Sequence, residues 1–398
     1  MATIPSIAMI PSGVKAGKLY SVLPTNGAGD FTTTRASVAT RVNENGLIEE
    51  VAANVPRLDY SDGTCPSLLL EPTATNLIIY SEDFSNTSWN KTSIGTGSSP
   101  SVTVNQGLAP DGALNADRIV LDLNGGTTSS DYSFISDTVP INSGGVISLS
   151  IYLKSNTGST QNLIMWEATT GTSLSCVVTN EWKRFNIIAT VTSTSPGLNF
   201  GLRNAFGVTV DDTADVLAWG AQLEQNSYAT SLIKTVGTTQ TRTKDKTFKT
   251  GITNLIGQSE GVLFVDFIPK GNTATQIVYQ VRTSGVTNVG QIDIRFSGGT
   301  LNALGNDGGS AQFGIVGTVI NLGQRYKCAI RYKKNDVAFY INGVLIGTDV
   351  VASFNSSSKD QVSFGENLTS YVPVASIKDA RVYTTALSDL ELTNLTTI

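Results

Sequence analysis

Apolar and polar residues alternate with a period of two along most of this chain, in short runs broken by Gly, Asn, Asp and Ser. That pattern predicts half-buried strands of antiparallel sheets, because successive side chains of a strand point to opposite faces. Val146 to Lys154 (VISLSIYLK) places Ile147, Leu149, Ile151 and Leu153 on one face and Ser148, Ser150, Tyr152 and Lys154 on the other. Trp182 to Val191 turns Phe185, Ile187, Ala189 and Val191 inward, and DVLAWGAQLE from Asp215 to Glu224 reads as a closing strand. Further strands are predicted at Gly261–Ile268, Ile277–Val281 and Gln291–Phe296. RYKCAIRY, with Tyr326, Cys328, Ile330 and Tyr332 on one face, precedes VAFYI-Asn342-Gly343-VLIG, a hairpin whose Asn-Gly supplies the positive-φ pair of a type I′ turn. A last strand, Ile377–Tyr383, leads into a short helix at Leu387–Leu395, where Ser388 and Glu391 have capping-box spacing. The chain is therefore predicted to be all-β, with two antiparallel β-sandwich (jelly-roll) domains after an extended N-terminal region.

The run KTVGTTQTRTKDKTFKT, from Lys234 to Thr250, holds little to bury and marks a domain boundary; a softer one falls near Pro72. The expected division is 1–74, 75–240 and 241–398. The Leu47 to Val55 stretch is compatible with extended or briefly helical structure.

Composition narrows the chemistry. In 398 residues there are 27 Lys and Arg and 32 Asp and Glu, only 15% charged, with 40% hydrophobic residues and 38 Gly. This is a folded chain with a surface of hydroxyls and amides rather than charges. It contains 0 His, which excludes Ser-His-Asp and Cys-His nucleophile systems and HExxH zinc sites within it. A net charge of −5 argues against a nucleic-acid binder. No uncharged stretch is apolar enough to span a bilayer, and the first fifteen residues do not resemble a signal peptide. Cys65, Cys176 and Cys328 are too far apart for a metal motif and read as three buried thiols.

Three stretches carry a resemblance. DFTTTRASVATRVNENGLIEEVAANVPRLDY (Asp30–Tyr60) with CPSLLLEPTATNLIIYSEDFSNTSW (Cys65–Trp89) resembles the leader of structural proteins of tailed bacteriophages, including fibre and head-appendage proteins. Asn76 to Thr235, ending in WGAQLEQNSYATSLIKT, resembles the carbohydrate-binding-module-like jelly roll that follows that leader. RYKKNDVAFYINGVLIGTD and IKDARVYTTALSDLEL are similar to laminin-G-like, concanavalin-type sandwiches. The resemblance implies a non-enzymatic virion protein, a head or tail fibre forming a homo-oligomer, typically a trimer. Its N-terminal region would dock onto other virion proteins and its β domains would face host-surface polysaccharide. Assembly in a bacterial cytoplasm and release by lysis suit unpaired cysteines and the missing signal peptide. A purely architectural decoration of capsid or tail is the rival, and a polysaccharide depolymerase stands behind it.

Glycan sites pair an aromatic platform with amide and carboxylate partners at its rim. Tyr152, on the polar face of its strand, and Trp166, in NLIMWEA, are the candidates; packing against a loop or a neighbouring subunit is the competing role. Trp89, Trp182 and Trp219 lie within the resemblance motifs and read as structural. Both jelly-roll types often hold a structural calcium ion, for which Glu82, Asp83, Asp211 and Asp212 offer oxygens, but no EF-hand spacing exists and no metal ligand is assigned. No E-x-D-x-E pattern of a glycosidase is present, and no catalytic residue is assigned.

Overall fold

The computed structural model describes residues 3–15, 17–141, 144–271, 275–286, 288–354, 357–365 and 371–398. The chain forms two compact units: Leu47–Glu49 with Ala74–Arg242, and Met1–Gly46, Glu50–Thr73 and Thr243–Ile398 together.

The middle unit, residues 74–242, is a sandwich of two five-stranded sheets. One runs Asn90–Ile94, Tyr132–Thr138, Gly197–Arg203, Gln161–Glu167, Ser173–Val178; the other runs Ser98–Leu108, Leu114–Asp122, Thr213–Glu224, Gly145–Ser155, Lys183–Val191. The predicted alternation holds in Lys183–Val191, where Phe185, Ile187, Ala189 and Val191 enter the core. In Gly145–Ser155 it does not, since Ser148 and Ser150 are as buried as the leucines beside them. Ser148 Oγ donates to the Tyr228 carbonyl (2.9 Å), and Arg184 ties Ser150 Oγ (2.9 Å) to the Thr230 carbonyl (2.6 Å). A polar strand face can thus be interior when a following loop satisfies its hydroxyls.

Asp137, inside this sandwich on the strand Tyr132–Thr138, is an exception to polar satisfaction: its Oδ2 has no hydrogen-bond partner. Burial pushes its carboxyl up to about 6. The neutral form is favoured by folding, so the stability cost of Asp137 is absent below pH ~4, grows as pH rises from ~4 to ~6, and is constant above. Asp137→Asn should therefore stabilise the unit by about 1–2 kcal/mol at neutral pH and by nothing at pH 4. Urea titrations at the two pH values check this, and an equal effect at both would refute it.

The second unit stacks an eight-stranded sheet, built on Glu260–Pro269, Tyr326–Lys333 and Ala375–Tyr383, against a nine-stranded one that includes Thr275–Arg282, Gln291–Ser297 and Gln361–Phe364. Leu263, Val265, Ile330 and Ile377 from the first share a core with Val281, Ile292, Ile294 and Val362 from the second. The Asn342-Gly343 hairpin joins Val337–Ile341 to Val344–Asp349 with φ of 50° and 81° at the two turn residues. A Cβ at Gly343 would also lie 3.0 Å from Thr397 Oγ1, so Gly343→Ala should lower stability by about 1–2 kcal/mol. An unchanged denaturation midpoint would count against that. The helix spans Asp389–Thr396, with Ser388 and Glu391 closing the capping box.

The N-terminal residues are not a separate extended region. Ile7–Met9 and Ser67–Leu70 both pair with Ala375–Tyr383, and Phe31–Thr34 pairs with Lys246–Lys249. These strands are too short for a periodicity to show, and their partners lie more than two hundred residues away. Within Leu47 to Val55 the strand Ile48–Val51 pairs in a hairpin with Ala39–Val42 and is followed by a turn at Ala53-Asn54, where Asn54 has a φ of 62°. The Lys234 to Thr250 run is not a bare linker: Gln240–Arg242 pairs with Ala74–Asn76, and Asp245 and Thr247 are buried. Asp245 accepts from Arg35 Nη1 (2.8 Å), from Arg57 Nη2 and from the Glu71 N–H (3.0 Å), while Arg57 Nη1 also reaches Glu71 (2.8 Å). Burial opposes charge on Arg57, but Asp245 and Glu71 outweigh it and hold the guanidinium above its ordinary value. All three cysteines are free; Cys176 and Cys328 are buried, but Cys65 is exposed, in the turn before Ser67–Leu70.

Candidate functional site

The face of the Asn90–Ile94 sheet opposite the core carries a cluster of aromatic rings around one arginine. Register defines this face: Met165, Phe200 and Ile135 align toward the core, whereas Trp166, Asn199 and Ser136 align on the other side, as do Ile164, Gly201 and Phe134. Tyr132 stands opposite Arg203 at the same face. Gly201 is required between Ile164 and Phe134, since a Cβ there would come within 2.7 Å of Phe134 Cβ.

The rings form a chain, Tyr132 to Phe134 at 5.2 Å and Phe134 edge-on to Trp166 at 4.9 Å. Arg203 lies over three of the cluster's rings, with its Cζ 5.2 Å from Tyr132, 5.5 Å from Phe206 and 6.0 Å from Trp166. Cation–π contact and a hydrogen bond from Arg203 Nε to the Ser129 carbonyl (3.0 Å) fix the guanidinium. The loop bearing Ser129 is itself pinned by Asp131, which accepts from Thr128 Oγ1 (2.7 Å), Thr128 N–H (3.0 Å) and Thr96 N–H (3.1 Å). Those donors, the Thr128 hydroxyl foremost, hold the Asp131 carboxyl down at about 2.

Phe206 is the outermost ring, 50% exposed, on a turn closed by Val208 N–H to the Ala205 carbonyl (2.9 Å). Its φ is 55°, a left-handed conformation that costs a bulky residue about 1–3 kcal/mol. The described positive-φ residues other than glycine are otherwise all asparagine. The ring leans over Gly171, where a Cβ would lie 2.7 Å from its Cε1, and leaves its other side to solvent.

The two candidates from the sequence lie on different sheets and are not brought together. Trp166 belongs to the cluster but is only 4% exposed, so it is a floor under Phe134 and Arg203 rather than a platform open to a ligand. Its indole N–H donates to the Asn199 side-chain oxygen (3.2 Å). Tyr152 packs edge-on against Trp219 at 5.6 Å, with Arg184 5.4 Å above its ring. Trp89 and Trp219 are buried, and Trp182 Nε1 donates to the Leu108 carbonyl (2.9 Å). Tyr132, Phe134, Arg203 and Phe206 were not singled out by the sequence; the Tyr-x-Phe alternation and an aromatic before Gly207 in a turn are the signals that point to them.

The acids considered for calcium are engaged elsewhere. Asp211 accepts from Asn162 N–H (2.8 Å), Asp212 from Gly125 N–H (2.8 Å) and Asp83 from Ser85 Oγ (2.6 Å), while Glu82 meets Lys234 at 3.3 Å. Among the described residues no three acidic, Cys or His side chains are grouped to hold a metal ion.

The C-terminal unit has a polar cleft of about 510 Å³ between its helix and the outer face of the eight-stranded sheet. Asp266 and Asp379, opposite each other in register, are each forked by an arginine, Arg325 and Arg381. Burial and the neighbouring Asp266 push the Asp379 carboxyl up, although Arg381 opposes this. Each carboxylate has a guanidinium partner, so the cleft forms a paired network.

Residues 267–393 match the model of the concanavalin A-like lectin/glucanases superfamily. No curated protein matches the chain. Among solved structures, the chain is similar to the CBM40 domain of the Ruminococcus gnavus IT-sialidase bound to α2,3-sialyllactose, with 16% identity over 37% of this chain and 91% of that one (TM-score 0.33). It is also similar to domain 4 of AbnA, a GH43 extracellular arabinanase from Geobacillus stearothermophilus, in complex with arabinotriose (17% identity, 39% and 73% coverage, TM-score 0.32).

Proposed function

We propose that this chain is a non-catalytic surface protein of a tailed-bacteriophage particle, a head or tail fibre whose middle unit binds host-surface glycan at the Tyr132–Phe134–Arg203–Phe206 cluster. The observation that carries the binding site is Phe206, an exposed ring on strained backbone beside a fixed guanidinium. Ring faces cover the apolar C–H faces of a sugar, and the free N–H groups of Arg203 donate to its hydroxyls. The lectin-type fold of residues 267–393 supports a glycan-directed role, and the leader resemblance at Asp30–Trp89 supports the virion. The chain works as a homo-oligomer, with weak sites strengthened by the number of copies on one particle.

A glycan array probed with the wild-type protein and Phe206→Ala tests the binding site, and binding that survives the substitution would place it elsewhere. Cryo-electron microscopy of the particle tests the location. Outward-projecting chains fit a fibre, and chains with both sandwiches covered by capsid or tail subunits would establish the architectural role instead.

A further inference from the structure

The ring cluster of the middle unit holds a positive charge that no acid balances. Other partly exposed arginines are taken up by acids: Arg118, Arg295, Arg325, Arg331 and Arg381 each meet a carboxylate oxygen at 2.5–2.7 Å. Such pairing is the expected outcome in a chain with 32 Asp and Glu against 27 Lys and Arg. Arg203 is part-exposed too, yet among the described residues it meets no carboxylate. Its Nε donates to the Ser129 carbonyl and its face lies on the rings. Asp131, next to Tyr132 in the chain, directs its oxygens at Thr96 and Thr128 instead. Neither Nη nitrogen of Arg203 has a partner and neither is enclosed, so the end of the guanidinium faces solvent beside the exposed Phe206 ring.

This arrangement selects charge and shape together. With its face on the rings and Nε fixed, the guanidinium keeps two parallel N–H groups at its outer end, the fork that matches a planar carboxylate. Neutral hydroxyls would leave its charge unbalanced beside apolar rings, whereas a carboxylate neutralises it. Arg203 is the one cation over these rings among the described residues, which suits a group with a single negative charge. The chain's net charge of −5 repels anions at long range, so a preference for an acid must come from this one fork.

We infer that the cluster takes an acidic sugar, whose carboxylate sits on the Arg203 fork while its C–H face lies against Phe206. The inference rests on the glycan reading of this cluster and adds the charge of the ligand to it. The test is a glycan array in which each member bearing a uronic or sialic acid stands beside its neutral parent, with sulfated members included. It is probed with the full chain as wild type, Arg203→Gln and Arg203→Lys, each verified by thermal unfolding. The readout is the ratio of acid to neutral binding within each protein, which a general loosening of the rings would not move. The wild type should prefer the carboxylated member by about 10-fold or more, less so as salt rises from about 50 to about 500 mM. Arg203→Gln should bring the ratio to about 1, and Arg203→Lys should keep part of the preference, having the charge without the fork. Equal binding of acid and parent by the wild type would overturn the acidic ligand and leave the glycan site standing. A preference untouched by Arg203→Gln would overturn the role of Arg203, and sulfated members bound above carboxylated ones would overturn the carboxylate. Binding to no member would overturn the glycan reading and the inference together.

Discussion

Replacing Asp245 with alanine should cost the C-terminal unit about 3–5 kcal/mol, enough to remove much of the stability of a domain of this size. Asp245 is 1% exposed and is the shared acceptor of Arg35 and Arg57, themselves 1% and 0% exposed. Its loss removes a carboxylate that two buried guanidiniums share, and unbalancing a buried ion network is far costlier than the network is favourable. The Glu71 N–H loses its acceptor at the same time. An outer ion pair provides the contrast: Arg118 and Asp215 meet at 2.7 Å, but the arginine side chain is 42% exposed, so Arg118→Ala should change stability by less than about 1 kcal/mol. Urea unfolding of the two variants gives the comparison directly. Near-equal losses would mean that the buried network is not what joins the N-terminal strands to the rest of their unit.

The second large effect concerns the aromatic cluster, where stability and binding should move in opposite directions. Phe206→Gly relieves a left-handed backbone and removes a ring that is half in solvent, so the variant should be as stable as the wild type or more so by about 1 kcal/mol. Its glycan affinity should nevertheless fall about 10-fold or more, the loss of a ring contact of about 1.4 kcal/mol or greater. Arg203→Ala should show a similar loss of affinity, because the guanidinium both orders the rings and supplies the donors. Trp166→Ala should behave in the opposite sense, destabilising the unit by about 3–5 kcal/mol as the truncation of a buried ring. Tyr152→Ala should leave affinity unchanged, since Tyr152 lies on the other sheet. Isothermal titration on one glycan ligand, with melting curves for each variant, separates these outcomes. If Phe206→Gly were destabilising and neutral for binding, the ring would be a packing element and the site would be wrong.

What could be read from the sequence is what local pattern encodes. Lys183–Val191 alternates because one face is solvated, Asn342-Gly343 turns because both residues accept positive φ, and Ser388 caps because Glu391 lies three residues on. The burial of Ser148 and Ser150 depends on a loop some eighty residues later, so their polarity misleads. The strands before residue 74 are two to four residues long, and Ile7–Met9, Phe31–Thr34 and Ser67–Leu70 also find partners more than two hundred residues on, which hides them from any periodicity. The aromatic cluster is half legible: Trp166 stands out as an aromatic, but its position under Phe134 and Arg203 follows from three strands in register. Phe206 is conspicuous only once its backbone angle is known.

The hydrogen bond from Asp245 N–H to the Glu71 carbonyl (3.0 Å) brings the entry to and the exit from residues 74–242 side by side. Residues 74–242 thus leave and re-enter the other unit at neighbouring positions. On the ribosome the order is correspondingly fixed. Residues 74–242 have all their sheet partners as soon as they emerge, while Ile7–Met9, Phe31–Thr34 and Ser67–Leu70 must wait for strands after residue 243. A truncation late in the chain therefore leaves a folded middle sandwich with an unpaired amino-terminal tail, and cells making such a fragment would carry an aggregation-prone edge rather than a smaller working protein.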